Sequence, residues 1–120
     1  MFAFKEKFGK VSGSGAKWDI VGGRIEPGLT LMDNLKREVK EETGLALHQI
    51  PKLVAAQDIL KVEGRHVVRL TYMGEIEGDV KLNEESVEYK WFTAEDLYKL
   101  TEKELDGYFK ELLDIKIIEL

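Results

Sequence analysis

One stretch restricts the fold more than any other: Gly22 to Leu45, reading GGRIEPGLTLMDNLKREVKEETGL. It opens with turn chemistry, a double glycine at Gly22-Gly23 and a tight-turn pair at Pro27-Gly28. Thr30 followed by Asp33 resembles a capping box, which predicts a helix starting near Leu31. Leu31, Leu35 and Val39 recur at four-residue spacing, and Gly44 stands where a helix C-cap belongs. The chain must therefore pass from a glycine turn into one capped, amphipathic helix.

The last turns of that helix collect Glu38, Glu41 and Glu42. Glu38 and Glu42 are like charges at i,i+4, which costs on the order of 0.2–0.5 kcal/mol. Glu41 and Glu42 also face the negative end of the helix dipole, a further penalty of about 0.3–1 kcal/mol each. Arg37 relieves Glu41 at i,i+4 and Lys40 helps locally, without removing the crowding. By helical period the glutamates flank the apolar stripe, at the rim of the core. Two readings follow: a solvated acidic face, or convergent hard oxygens suited to Mg²⁺ or Mn²⁺.

Around this unit the pattern alternates strands with helices. GKVSGSGAK, Gly9 to Lys17, reads as a hairpin loop between FAFKEKF and KWDIV. Two long β-rich stretches follow, Leu45 to Val62 and Arg65 to Ile76, turning at EGR. VEYKWFT reads as a strand with Val87, Tyr89 and Trp91 on one face and Glu88 and Lys90 on the other. A short helix is expected over Ala94 to Leu100. A second is expected to open at the Thr101–Glu104 capping pattern and to carry Leu105, Phe109, Leu112 and Leu113. The expectation is one α/β domain over residues 1–120, with helices packed on a mixed sheet.

Composition removes several function classes. With 43% hydrophobic and 34% charged residues the chain is a globular protein, and its net charge of −5 without a basic block argues against a nucleic-acid or polybasic membrane partner. No cysteine is present, and only His48 and His66 are available, so thiolate and three-histidine metal sites are excluded and any metal must be held by oxygen. No apolar run reaches transmembrane length, and MFAFKEKFGK lacks a signal-peptide core; the expected location is cytoplasmic.

The segment from Gly23 to Leu45 resembles the Nudix box of hydrolases acting on nucleoside diphosphates linked to another group. Gly23, Arg37, Glu38, Val39, Glu41, Glu42, Gly44 and Leu45 stand in the expected places; Leu29 stands where the family has a glutamate. KWDIV resembles the family's incoming strand, and VEYKWFTAEDL its late strand-to-helix segment. The resemblance implies a Nudix-type α/β/α sandwich and a metal-dependent pyrophosphohydrolase. Its Mg²⁺ or Mn²⁺ would be held by Glu38, Glu41 and Glu42, with backbone oxygen near Gly22 and Gly23. Arg37 would orient the acidic cluster. The base would be Glu41 or Glu42, or a glutamate before the late strand: Glu85, with Glu84 and Glu88 as alternates and a solvated NEESVE loop as the plain reading.

Leu29 keeps a second function open, a nucleotide-binding module with weak or lost turnover. The glutamate it replaces is credited with supporting Arg37; Glu26, three residues earlier, is a partial substitute. A third reading is a structural domain whose acidic helix takes no ligand. The chain starts almost inside its first strand, so either a preceding strand is missing or a sheet edge is covered by a partner; a homodimer is the expectation.

The substrate is expected to be a small-molecule nucleotide: a nucleoside triphosphate, oxidised ones included, or ADP-ribose. Neither proline stands where ADP-ribose hydrolases of the family tend to carry one. Arg24, Arg65 and Trp18 are the candidate substrate contacts. Arg69, Tyr72 and Trp91 are weaker ones, each with a surface or core role as its plain alternative. His66 reads as a hairpin residue.

Overall fold

The computed structural model describes residues 2–6, 17–61, 63–81 and 86–115. The elements run β1 (Phe2–Glu6), β2 (Trp18–Asp19), α1 (Leu31–Thr43), β3 (Ala46–Ile59), β4 (Val67–Glu77), β5 (Ser86–Trp91), α2 (Ala94–Lys99) and α3 (Gly107–Asp114). One sheet has the order β2-β1-β5, and β3 with β4 forms a long hairpin. All of these ladders are antiparallel. Among the described residues the parallel component is the isolated bridge between Trp18 and Leu105. β1 lies in the middle of its sheet, paired on both sides, so an open edge for a partner has to be sought elsewhere.

Local chemistry explains most boundaries. The Thr30 hydroxyl accepts from the Asp33 N–H at 3.1 Å, which starts α1 at Leu31 as the capping pattern predicts. Gly44 closes the helix in a left-handed conformation, its N–H donating to the Lys40 carbonyl at 2.9 Å. Within β3 the register shifts between His48 and Lys52, around Pro51. Proline has no N–H for a ladder, and a bulge is where a strand tolerates it.

The core is built by β5's exit and the C-terminal helices. Phe92, Leu97, Leu105, Phe109, Leu112 and Leu113 are buried together, with Trp18, Ile20, Val54, Ala55 and Leu100 packed against them. Trp18 meets Phe92 edge to face at 5.1 Å. The four apolar residues expected from the last helix are thus all in the core, but the helix itself starts later than the Thr101–Glu104 pattern predicts. That pattern forms its side-chain contacts and a single turn. Leu105 then leaves helical geometry to bridge Trp18, and Asp106 caps a new helix through the Phe109 N–H at 3.0 Å.

β5 settles a choice that its alternation leaves open. Tyr89 and Trp91 do not face a core: both are about half exposed, whereas Phe92, just past the strand, is buried. Alternation alone leaves the choice of face open, and the aromatic contact of Phe92 with Trp18 settles it. Arg69 departs from its surface reading: mostly buried, it donates to Asp19 at 2.8 Å and Asp106 at 3.1 Å, and so ties β4 to β2 and to the cap of α3.

Candidate active site

The buried side of α1 is more polar than its leucine spacing suggests. Leu31 is largely exposed, while Asn34, Val39, Glu42 and Thr43 are buried. This polar face turns towards the preceding loop, and the two are joined at four points. The Gly22 N–H donates to Glu42 Oε2 at 3.1 Å. The Asn34 carboxamide accepts from the Glu26 N–H at 3.0 Å and donates to the Arg24 carbonyl at 3.2 Å. Arg37 Nε lies 3.4 Å from Glu26 Oε2. The Glu38 carboxylate lies directly over Gly23, in the space that any Cβ at residue 23 would fill.

Arg37 is the hub. Its Nη1 donates to Glu41 Oε2 at 2.9 Å, and its Nη2 donates to both Glu38 Oε1 and Asn34 Oδ1, also at 2.9 Å. Desolvation pulls the guanidinium pKa down, but Glu38, Glu41 and Glu26 outweigh it and hold it above its ordinary value. The three box glutamates differ in setting. Glu42 is 7% exposed, Glu38 is mostly buried and Glu41 projects outward. The structure therefore brings together Arg37, Glu38, Glu41, Glu42, Gly22 and Gly23, all expected to share one site.

The other candidates fall elsewhere. Arg24 contributes its carbonyl to the Asn34 clamp and exposes its side chain. Trp18 packs on the core, with its backbone paired to Glu104 and Asp106. Arg65 is exposed beside the Glu63–Gly64 turn of the β3–β4 hairpin. Tyr72 is half-buried in β4, and His66 pairs with Asp58 at 2.6 Å on the hairpin surface. Glu84 and Glu85 lie outside the described residues, and of Glu88 only the backbone is described.

The donor set fits a hard divalent cation in kind, since every candidate atom is oxygen. As the side chains stand, no three acidic or histidine groups among the described residues meet closely enough to hold an ion. Glu38 and Glu41 are turned onto Arg37, and Glu42 onto the Gly22 N–H. Arg37 engages one oxygen each of Glu38 and Glu41, Oε1 and Oε2 respectively, and a cation would be held through the other oxygen of each.

A family model described as NUDIX domain matches residues 3–113. The chain belongs to this family. Among curated proteins, this Nudix chain is 34% identical over 91 residues to the nucleoside triphosphatase NudI of Escherichia coli K12, covering 68% of this chain and 64% of that protein. The chain thus spans about two thirds, at 64%, of the length of the curated relatives it matches. Among solved structures it is similar to a MutT protein from Methanosarcina mazei Go1, at TM-score 0.77 and 25% identity, over 95% of this chain and 80% of that one. A MutT NUDIX hydrolase from Burkholderia pseudomallei gives TM-score 0.74 at 23% identity, over 94% and 84% of the two chains. The Nudix α/β fold is therefore established.

Sequence reasoning missed Asn34. Its signal was weak: a poor helix former at the fourth residue of the helix, three residues before Arg37.

Proposed function

We propose that this Nudix chain, as a single domain over residues 1–120, is a divalent-metal-dependent pyrophosphohydrolase acting on a nucleoside triphosphate. The observation that carries the reading is the gathering of Glu38, Glu41 and Glu42 around Arg37 and the Gly22-Gly23 loop. The nucleoside triphosphatase name of the 34% identical relative supports the substrate class.

Glu38, Glu41 and Glu42 would hold Mg²⁺ or Mn²⁺, which supplies neutralisation of the phosphates and a more acidic bound water. The rest falls to the chain's own residues. Arg37 fixes the direction of the Glu38 and Glu41 carboxylates. Gly23 leaves room for Glu38 against the loop, and the Gly22 N–H fixes Glu42. A glutamate accepts the proton of the attacking water; Glu41 is the most accessible of the box carboxylates, and Glu85 is the alternative from the segment before β5. Water adds to one phosphorus, the bridging P–O bond breaks, and its electron pair leaves with the second phosphate group. A triphosphate yields a nucleoside monophosphate and pyrophosphate.

The test is product analysis on a panel of nucleoside triphosphates and ADP-ribose with Mg²⁺ or Mn²⁺. Monophosphate with pyrophosphate from triphosphates is the expected result; cleavage of ADP-ribose alone replaces the substrate class. Metal and nucleotide binding without any turnover identifies the binding module that Leu29 keeps in view.

A further inference from the structure

The box residue this chain lacks is at Leu29, yet Arg37 is not left without anchors. Leu29 is 39% exposed, in a turn where its N–H donates to the Glu26 carbonyl at 3.2 Å and Gly28 takes φ +93°. A reverse turn of this kind brings its first and fourth residues within about 7 Å. The Pro27-Gly28 turn thus holds Glu26 close to residue 29, on the Arg37 side of the loop. Glu26 Oε2 ends 3.4 Å from Arg37 Nε, a buried nitrogen without a hydrogen bond.

Asn34 does the remaining work. It is 5% exposed, and its carboxamide is used on both sides: Nδ2 to the Arg24 carbonyl, Oδ1 from the Glu26 N–H and from Arg37 Nη2. A single side chain therefore locks the loop that carries Glu26 and also orients the guanidinium that Glu26 approaches. The polar atoms of a buried amide are costly to leave unpaired, so the arrangement has few alternatives.

We infer that Asn34 and Glu26 together are positioning residues that take over, in this chain, the support of Arg37 that the residue at position 29 cannot give. Through Arg37 they set the carboxylates of Glu38 and Glu41. The inference rests on the reading of these glutamates as metal ligands only for its second readout; the first is independent of metal.

The experiment follows two signals in the native chain, Asn34→Ala and Glu26→Gln, each with and without Leu29→Glu. One is the exchange protection of the Arg37 guanidinium protons by ¹⁵N NMR in metal-free protein. The other is the Mn²⁺ dissociation constant by electron paramagnetic resonance. Asn34→Ala is expected to remove the protection and weaken Mn²⁺ binding about 10–100-fold. Glu26→Gln is expected to act in the same direction more weakly, and Leu29→Glu to restore both signals. Glu26 is exposed, so its variant keeps the test decisive if Asn34→Ala does not fold. Unchanged Arg37 protection in the variants, or no restoration by Leu29→Glu, overturns the inference. Protection that depends on Asn34 in a native chain that binds no Mn²⁺ upholds the positioning role and removes the metal reading instead.

Discussion

The Glu38 carboxylate occupies the space in which a side chain at residue 23 would begin. Gly23 is thus required by the close approach of the Glu38 side chain and not by its own φ, which is not positive. Gly22, its neighbour, has open space at the same position.

Gly23→Ala is therefore expected to separate folding from activity. The obstructed atoms are the far end of a flexible side chain, so the cost in stability is under about 1 kcal/mol. Turnover is expected to fall at least about 10-fold, because Glu38 must leave its place between Gly23 and Arg37. Gly22→Ala serves as the steric control, since a Cβ there meets nothing within 4 Å, and is expected to lose less activity than Gly23→Ala. Thermal melting beside steady-state turnover of both variants checks this.

Arg69 holds Asp19 and Asp106 with little exposure for any of the three, and its loss leaves two carboxylates facing each other. Arg69→Met is expected to destabilise the chain by about 1–3 kcal/mol, below the range for a fully buried pair because the three side chains keep 17–26% exposure. Urea unfolding measures it, and a change below about 1 kcal/mol contradicts the assigned role.

Asp19 gives that triad a pH dependence of unusual sign. Burial raises its pKa, Arg69 opposes this, and Asp106 adds to it; the net shift is upward from 3.8. The folded state therefore holds the Asp19 proton more tightly than the unfolded chain. Its contribution to stability is fully present below 3.8 and is lost as pH rises through the folded pKa, opposite to a salt-bridged carboxylate with a depressed pKa. A ¹³C titration of the Asp19 carboxyl is expected to show a midpoint above the ordinary value, moving higher in Arg69→Met.

Thr43 is fully buried at the end of α1, where its hydroxyl donates to the Val39 carbonyl at 2.6 Å and accepts from the Leu45 N–H at 3.1 Å. Thr43→Val keeps the shape and strands the Leu45 donor, which is expected to cost about 1–3 kcal/mol by denaturant unfolding.

The sequence was most readable where local rules decide. α1 begins at the residue Thr30 caps and ends at Gly44, because caps act within one turn of the chain. The crowding of the acidic cluster was legible for the opposite reason: like charges at i,i+4 and at a helix C-terminus break local rules, which set a metal-site reading beside that of a solvated face. What escaped depends on contacts distant in sequence. Arg69 could be read as a surface residue until Asp19 and Asp106 were seen to meet it, 50 and 37 residues away. The buried face of β5 could not be read because period-two alternation carries no phase, and Phe92 supplied it from outside the strand. Asn34 escaped because a search for apolar spacing passes over a polar residue on a buried face. The role of Glu26 was only partly visible, since it depends on how the Pro27-Gly28 turn folds.

The central claim is that the glutamates of α1 serve metal-dependent pyrophosphate hydrolysis, and the most direct measurement is pyrophosphate release from nucleoside triphosphates by the native chain and Glu42→Gln, with Mg²⁺ and with EDTA. The account predicts release by the native chain with Mg²⁺, none with EDTA, and a loss of at least about 100-fold in Glu42→Gln at unchanged fold. Equal release with EDTA, or full activity in Glu42→Gln, would contradict it.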